Sequence, residues 1–224
     1  MPDEKAPLKT DEHMIKTFLF DLGDVLLFFS HEKMCRQMGA LCGRSGEEVR
    51  QLFIETKRHL AFERGEMSES EFHTWFLQES GAEVPLDKLR RAAADIFTLN
   101  STMGAVLKEL KERGHRLVLF SNTNITHIQY VREQYHVLDR FDKLVLSHEV
   151  GVLKPEDGMF ESALERIECA PEECFYTDDV ADYVTRGRFH GLQADVFTTT
   201  ESFLQQMSER GISLSTPVFH RSSW

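Results

Sequence analysis

The sequence predicts an α/β fold, a parallel sheet with helices on both faces, and a small all-α domain inserted after the first strand. Short apolar runs alternate with amphipathic segments of about 10–15 residues, the rhythm of strands joined by crossover helices. Roughly 70 residues separate the first run from the next regular helix, far more than the dozen or so that a plain crossover needs. The 224 residues, 41% of them hydrophobic, suffice for one sizeable core or two modest ones.

Five apolar runs are predicted to form the sheet, because each is short and is followed by polar or charged residues. The predicted strands are 17–20, 116–120, 143–146, 174–176 and 194–197. Amphipathic segments between and after them predict helices, the first with Ser101 as its N-cap. These helices are 101–113, 125–135, 155–167, 180–189 and 201–210.

The insertion contains helix candidates and no convincing strand. The candidates are 31–41, 47–56, 69–77 and 87–96. Three of them follow serines that suit an N-cap, namely Ser30, Ser45 and Ser68. We therefore expect residues 30–96 to form a helical cap, residues 1–29 and 97–212 to form one discontinuous sheet domain, and residues 213–224 to form a loose tail.

The charge balance narrows the class of partner. The chain has 26 Lys+Arg against 37 Asp+Glu, a net charge of −11. An acidic surface repels phosphate backbones and anionic lipids, so we expect no nucleic acid and no membrane surface as a partner. The sequence contains neither a membrane-spanning apolar stretch nor a signal-peptide core, which predicts a cytoplasmic protein. The four cysteines lack a CxxC spacing and are interpreted as reduced thiols.

Reactive side chains follow four of the predicted strands. In an open parallel sheet, ligands bind beyond the carboxyl ends of the strands, so these side chains are expected to converge on one crevice. In strand order they are Asp21, then Ser121 with Asn122 and Thr123, then Lys154, then Asp178 with Asp179.

This set of residue types points to phosphoryl transfer. Gathered carboxylates repel one another unless a cation lies between them, and hard oxygen ligands suit Mg²⁺. Lys154 and the Ser121 hydroxyl are suitable donors to a phosphate. An aspartate nucleophile beside a metal and a phosphate indicates a reaction through an aspartyl-phosphate.

The order of these motifs resembles the haloacid dehalogenase-like (HAD) hydrolase superfamily over about residues 17–210. The matching segments are Phe20-Asp21-Leu22-Gly23-Asp24-Val25-Leu26, then residues 119–123, 151–155 and 175–179. The resemblance implies a Rossmann-like core, a helical cap and Mg²⁺-dependent hydrolysis of small phosphate monoesters. The Asp-Leu-Gly-Asp-Val form and the Glu63-Arg64-Gly65-Glu66 turn are similar to the branch with α-glucose-1-phosphatases and the phosphatase lobe of soluble epoxide hydrolases.

The resemblance implies a role for each candidate residue. Asp21 is the expected nucleophile, with Ser121 and Lys154 on the phosphoryl oxygens. Mg²⁺ is expected on Asp21, the Gly23 carbonyl and Asp179, with Asp178 acting through water or a neighbour. Asn122 and Thr123 are expected to shape the phosphate loop, and Glu63 and Arg64 to meet the substrate, a small phosphorylated metabolite of sugar-phosphate type.

Position 23 departs from the family pattern. The common motif is Asp-x-Asp, whose second carboxylate protonates the leaving group, whereas this chain has Gly23 there. Glycine can lend a carbonyl to a metal but cannot move a proton. Asp24 is the candidate replacement, and a carboxylate that only stabilises the turn is the alternative for it.

Two other functions remain open at this point. A 2-haloacid dehalogenase would use the same aspartate and lysine without metal, although Asp178 and Asp179 argue against a pocket built for an anionic acid. A non-catalytic protein that binds a phosphate ligand is the other alternative, since Gly23 removes the usual proton carrier. The sequence leaves open whether the protein is a monomer or a homodimer.

Overall fold

The computed structural model describes residues 14–216, and its strands form one parallel sheet and one antiparallel ribbon. The five-stranded parallel sheet has the order β5-β4-β1-β6-β7, and β2 pairs with β3 in the ribbon. The predicted α/β fold is confirmed. The strands are β1 (Thr17–Phe20), β2 (Leu27–Phe29), β3 (Phe97–Leu99), β4 (Arg116–Ser121), β5 (Lys143–Leu146), β6 (Cys174–Asp178) and β7 (Gln193–Val196).

Eleven α-helices lie within the described residues, five of them between the two strands of the ribbon. Those five are α1 (His31–Cys42), α2 (Gly46–Thr56), α3 (Arg58–Glu63), α4 (Glu69–Ser80) and α5 (Leu86–Ala94). The other six are α6 (Ser101–Glu112), α7 (Ile125–Gln134), α8 (Ser147–Val150), α9 (Asp157–Ile167), α10 (Ala181–Phe189) and α11 (Thr200–Glu209). No helix in this part of the chain has the length and apolar character needed to cross a membrane.

The central strand β1 is buried on both faces and separates two hydrophobic cores. Phe18 and Phe20 point into a core built with α6, α7 and α11, whereas Leu19 points into a core built with α9 and α10. Because successive strand side chains alternate between faces, an uninterrupted apolar run is what a strand covered by helices on both sides requires. Asp21 follows directly at the carboxyl end of this strand.

The helical insertion has an aromatic core of its own. Phe53, Phe62, Phe72 and Trp75 pack together, with the rings of Phe62 and Phe72 stacked at 4.7 Å between centroids. The predicted serine N-caps are present. Ser30 accepts a hydrogen bond at the start of α1, and Ser45 and Ser68 form capping boxes at the starts of α2 and α4. The boundaries of the cap, residues 30–96, stay a prediction.

Four local expectations differ from the structure. The ribbon of β2 and β3 was not expected, because three-residue strands are too short to show a period of two. Helix α3 was also missed, since it follows α2 after one residue. The N-cap of α6 is Asn100 rather than Ser101. Residues 213–216 of the expected loose tail contact α6, where the Ser215 N–H donates to Glu109 at 2.9 Å; the rest of the tail lies outside the described residues.

Candidate active site

The carboxyl ends of β1, β4 and β6 bring the predicted residues around one cavity of about 240 Å³. Asp21, Ser121 and Asp178 are each the last residue of a strand or the residue just after one, which is why they meet at one edge. The cavity is lined by Asp21, Gly23, Glu63, Ser121, Asn122, Thr123, Lys154 and Asp179, among others. Asp178 lies directly behind them and is fully buried.

Lys154 is the centre of the site's hydrogen bonds. The residue is 3% exposed. Its ammonium group donates three hydrogen bonds: to Asp21 Oδ1 at 2.8 Å, to Asp178 Oδ2 at 2.5 Å and to the backbone oxygen of Phe120 at 2.9 Å. Burial alone lowers the pKa of a lysine, but the charges of Asp178 and Asp21 outweigh burial and raise the pKa of Lys154. Lys154 is therefore a fixed positive charge at the floor of the cavity.

Asp178 is held from three sides. Its Oδ2 accepts bonds from Lys154 and from the Tyr176 hydroxyl, the latter at 2.5 Å, and its Oδ1 accepts the Val180 N–H at 2.9 Å. Asp178 Oδ2 thus accepts two bonds, whereas Oδ1 accepts one and keeps a lone pair. Asp179 is the opposite case, because it is exposed and none of the side-chain hydrogen bonds found in residues 14–216 involves its carboxylate.

Negative charge is in excess at this edge of the sheet. Asp21, Asp178 and Asp179 each offer a carboxylate oxygen, and these oxygens lie within 4.8 Å of one another. Burial raises the pKa of Asp21 to about 7, with Asp178 adding to the rise and Lys154 opposing it, and burial with Asp178 raises the pKa of Asp179. One ammonium faces three carboxylates, so a divalent cation would balance the site. The donor set is all oxygen, which fits Mg²⁺.

The loop after β4 is fastened to its neighbours by its side chains. Asn122 brackets the backbone of Lys154: its Oδ1 accepts the Lys154 N–H at 2.7 Å, and its Nδ2 donates to the Lys154 oxygen at 3.1 Å. The Thr123 N–H donates to Ser147 Oγ at 2.9 Å, and that hydroxyl lies 2.7 Å from the Glu63 backbone oxygen. Ser147 thus links the phosphate loop to the helical insertion. Its position directly after a predicted strand was the available signal for it, and sequence reasoning assigned it no role.

The Phe29 ring stands beside Gly23 in the turn after β1. A Cβ atom at position 23 would lie 2.7 Å from Phe29 Cε1, so a carboxylate at this position would require the Phe29 ring to move. The Gly23 carbonyl accepts the Val25 N–H at 2.6 Å and keeps one lone pair free. Asp24 has a positive φ of 50° and its N–H donates to the Leu27 oxygen, and it is absent from the residues that line the cavity.

The two cap candidates have different surroundings. Glu63 lines the cavity, and burial raises the pKa of its carboxyl group to about 7. The expectation that Arg64 meets the substrate does not match its position. Both guanidinium NH groups donate to Glu156 in the loop before α9, at 3.1 and 2.6 Å, so Arg64 ties the insertion to the sheet domain instead.

Comparison of the sequence with known proteins places it among hydrolases. The profile of the haloacid dehalogenase-like hydrolase family matches residues 15–182. A D-ribitol-5-phosphate phosphatase of Bacteroides thetaiotaomicron is 22% identical, over 80% of this chain and 90% of its own. A glyceraldehyde 3-phosphate phosphatase of Methanothermobacter thermautotrophicus is 30% identical over 71% of this chain and 74% of its own, and a sesquiterpene phosphatase of Aspergillus oryzae is 22% identical over 79% and 87%.

Solved structures agree in fold. A HAD family enzyme of Bacteroides thetaiotaomicron, crystallised with magnesium and inorganic phosphate, superposes with a TM-score of 0.78 at 24% identity, covering 86% of this chain and 98% of its own. The L-2-haloacid dehalogenase of Xanthobacter autotrophicus gives 0.60 at 17% identity, covering 90% and 85%. With four motifs at the strand ends and a family match over most of its length, this chain belongs to the haloacid dehalogenase-like hydrolases.

Proposed function

We propose that the protein is a Mg²⁺-dependent phosphatase that hydrolyses small phosphate monoesters through an aspartyl-phosphate on Asp21. The observation that carries this proposal is the position of Asp21 in the cavity, 2.8 Å from the Lys154 ammonium and within 4.8 Å of two further carboxylates. The relatives named as phosphatases support the same reaction class.

Substrate binding follows from the donors at the cavity floor. The Ser121 hydroxyl would donate to a phosphoryl oxygen, and Lys154 would contribute its positive charge, because its three N–H donors already bond Asp21, Asp178 and the Phe120 oxygen. Asp21, the Gly23 carbonyl and Asp179 would hold Mg²⁺, while Asp178 positions Lys154. When bound, the ion would offset the excess negative charge of the carboxylates and of the phosphoryl group.

The chemistry proceeds in two displacements at phosphorus. Lys154 holds Oδ1 of Asp21, which leaves Oδ2 to attack. A bond forms between Oδ2 and phosphorus, the ester P–O bond breaks, and the alcohol leaves after taking up a proton. Water then attacks the aspartyl-phosphate, releases inorganic phosphate and restores the carboxylate.

The leaving alcohol needs a proton that Gly23 cannot supply. Of the two candidate proton carriers outside the expected Mg²⁺ ligands, Glu63 lines the cavity and Asp24 does not. We therefore assign the proton transfer to Glu63 in preference to Asp24. The raised pKa of Glu63, about 7, suits a group that gives and takes a proton near neutral pH.

Phosphate release from a panel of monoesters, with Mg²⁺ or with a chelator, tests this proposal. Asp21→Asn is expected to abolish release, because the amide cannot form the acyl-phosphate. The matched control is Asp139→Asn, the same change at an exposed residue outside the site, which is expected to leave release unchanged. Release by Asp21→Asn at the wild-type rate would refute the mechanism. Chloride release from a 2-haloacid in the presence of chelator would favour the dehalogenase instead.

A further inference from the structure

We propose that the organic group of the substrate is apolar and occupies a second cavity, enclosed mainly by the helical insertion. This inference rests on the proposed phosphatase function and specifies its substrate class: the monoester of a medium-sized alkyl or aryl alcohol rather than a sugar phosphate.

The second cavity measures about 290 Å³ and is lined largely by hydrophobic side chains. At about 30 Å³ for each atom, the share of a water molecule in the liquid, it has room for about ten non-hydrogen atoms. Its apolar walls come from α1 to α5 and include Met34, Met38, Phe53, Phe62, Phe72 and Leu89.

The second cavity shares part of its lining with the one over Asp21. His31, Glu63 and His127 line both, so the two spaces adjoin at these three side chains. An organic group that extends from a phosphate at Asp21 past these side chains would enter the second cavity. The organic group of the substrate is therefore sufficient as the occupant of this second cavity.

Apart from Glu63, the charged side chains that line the second cavity are paired. Of the described residues, its two arginines are each paired, Arg50 with Glu47 and Arg90 with Glu69. The Thr126 hydroxyl donates to the same glutamate at 2.7 Å. These pairs leave no free cation for a second acidic group on the substrate, and few donors for a row of sugar hydroxyls.

Histidine adds no positive charge at this junction. Burial lowers the pKa of His127 to about 4, and one ring nitrogen lies 3.2 Å from the backbone oxygen of Ala93. Burial also lowers the pKa of His31, the other histidine at the junction. The rings are neutral near pH 7 and act as weakly polar walls.

The walls of the first cavity near the leaving group are apolar as well. Phe29, Ile96, Phe97 and Val180 line it alongside the reactive residues. The Phe29 ring stands beside Gly23, where a carboxylate would stand in the common motif. An apolar group on the phosphate thus meets hydrophobic surface in both cavities, on either side of the junction at His31, Glu63 and His127.

A chain-length series tests the inference. In the presence of Mg²⁺, kcat/KM is expected to rise by up to about fourfold for each methylene added from propyl to decyl phosphate, until the cavity is filled. This is the factor expected for burial of one CH₂ group. Hexyl phosphate is expected to exceed a hexose phosphate by at least about tenfold. Equal kcat/KM along the series, or a preference for the hexose phosphate, would overturn the inference and leave the phosphatase proposal intact.

A charge placed at the rim tests where the organic group lies. Ile54 lines the second cavity and is 48% exposed, so Ile54→Lys is expected to fold and to abolish most of the gain between propyl and decyl phosphate. Leu60→Lys, on the neighbouring α3 but outside both cavities and 36% exposed, is the matched control and should keep the full gain. An equal gain in the two variants would place the organic group elsewhere and overturn the inference.

A binding measurement separates failure of the inference from failure of the proposed function. If no ester is hydrolysed, the phosphatase proposal fails, and the second cavity can still be tested with non-hydrolysable phosphonates. Decylphosphonate is then expected to raise the melting temperature more than methylphosphonate does, and Ile54→Lys to reduce the difference. Equal shifts from the two phosphonates in the unmodified protein would overturn the inference by itself.

Discussion

At Gly65, the helical insertion meets the sheet domain so closely that a side chain does not fit. A Cβ atom at this position would lie 2.1 Å from the backbone oxygen of His148, and the residue has a φ of +69°. Gly65 ends the turn that carries Glu63, whose backbone oxygen is held by Ser147 Oγ at 2.7 Å. Gly65→Ala therefore has two separate consequences, which are backbone strain and a steric clash with the His148 backbone.

The sizes of the two effects follow from the structure. An alanine with a left-handed backbone costs about 1–2 kcal/mol of folding free energy. Relief of a 2.1 Å contact to an ordinary van der Waals distance requires the turn to move by more than about 1 Å. A displacement of about 1 Å at a catalytic constellation costs about 10²-fold in rate, so we expect Gly65→Ala to lower kcat/KM about a hundredfold.

Gly81→Ala provides the matched control. Gly81 has a φ of +70°, and a Cβ there would meet no atom within 4 Å. Both variants are expected to lose similar stability from strain in urea denaturation, but only Gly65→Ala should lose activity on a phosphate ester. If the two variants retain equal kcat/KM, the contact between this turn and His148 does not position the active site, and the reasoning is refuted.

Three other predictions concern the site itself. Lys154→Met leaves the buried Asp21 and Asp178 carboxylates without their ammonium partner and should lower the free energy of unfolding by about 3–5 kcal/mol in urea titration. In the wild type, kcat/KM should fall as the pH rises through about 7, because Glu63 donates a proton only when it is protonated. Glu63→Gln should lower kcat/KM and remove this falling limb of the pH profile. An unchanged profile would contradict the assignment of proton transfer to Glu63. Asp21, Lys154, Asp179, Tyr183, His31 and His127 also face that cavity, and Asp21 gives a rising limb because it attacks only when ionised, so loss of the falling limb in Glu63→Gln is what identifies the group. The double substitution Gly23→Asp with Phe29→Ala makes room for a second carboxylate at position 23. In that background Glu63→Gln should lower kcat/KM less than in the wild type, where it is expected to lower kcat/KM about 10²–10⁴-fold. An equal loss in both backgrounds would count against proton transfer by Glu63.

The parts of the site that sequence reasoning could predict are those that follow from topology. Asp21, Ser121 and Asp178 stand at the ends of parallel strands, and the geometry of such a sheet brings strand ends together whatever the rest of the chain does. Lys154 follows from the same order of motifs. The apolar runs also predicted the five strands of the parallel sheet, and the reason is plainest for β1, β4 and β6, because a strand covered on both faces has to be largely hydrophobic.

The parts that were missed depend on contacts between segments far apart in the sequence. Ser147 stands 84 residues from Glu63, and nothing local indicates that its hydroxyl lies beside that backbone. Arg64 and Glu156 are separated by 92 residues, and a pattern of single letters contains no sign that they pair. Phe29 belongs to a three-residue strand whose apolar character suits a core position equally well. In each case the role of the side chain depends on a neighbour that is distant in the sequence, and the local hydrophobic periodicity does not reveal that neighbour.

Gly23, Phe29 and Glu63 together indicate how the proton carrier and the substrate class are connected. A carboxylate at position 23 would stand among the carboxylates that already exceed the positive charge of Lys154, and it would displace the Phe29 ring. Glycine at this position lets the ring stay, and the ring adds hydrophobic surface beside the ester oxygen. In the proposed mechanism the proton then comes from Glu63, which lines both cavities. The same hydrophobic surroundings that would hold an apolar leaving group keep water from Glu63 and raise its pKa towards the range in which it can donate, so the two properties have one physical cause.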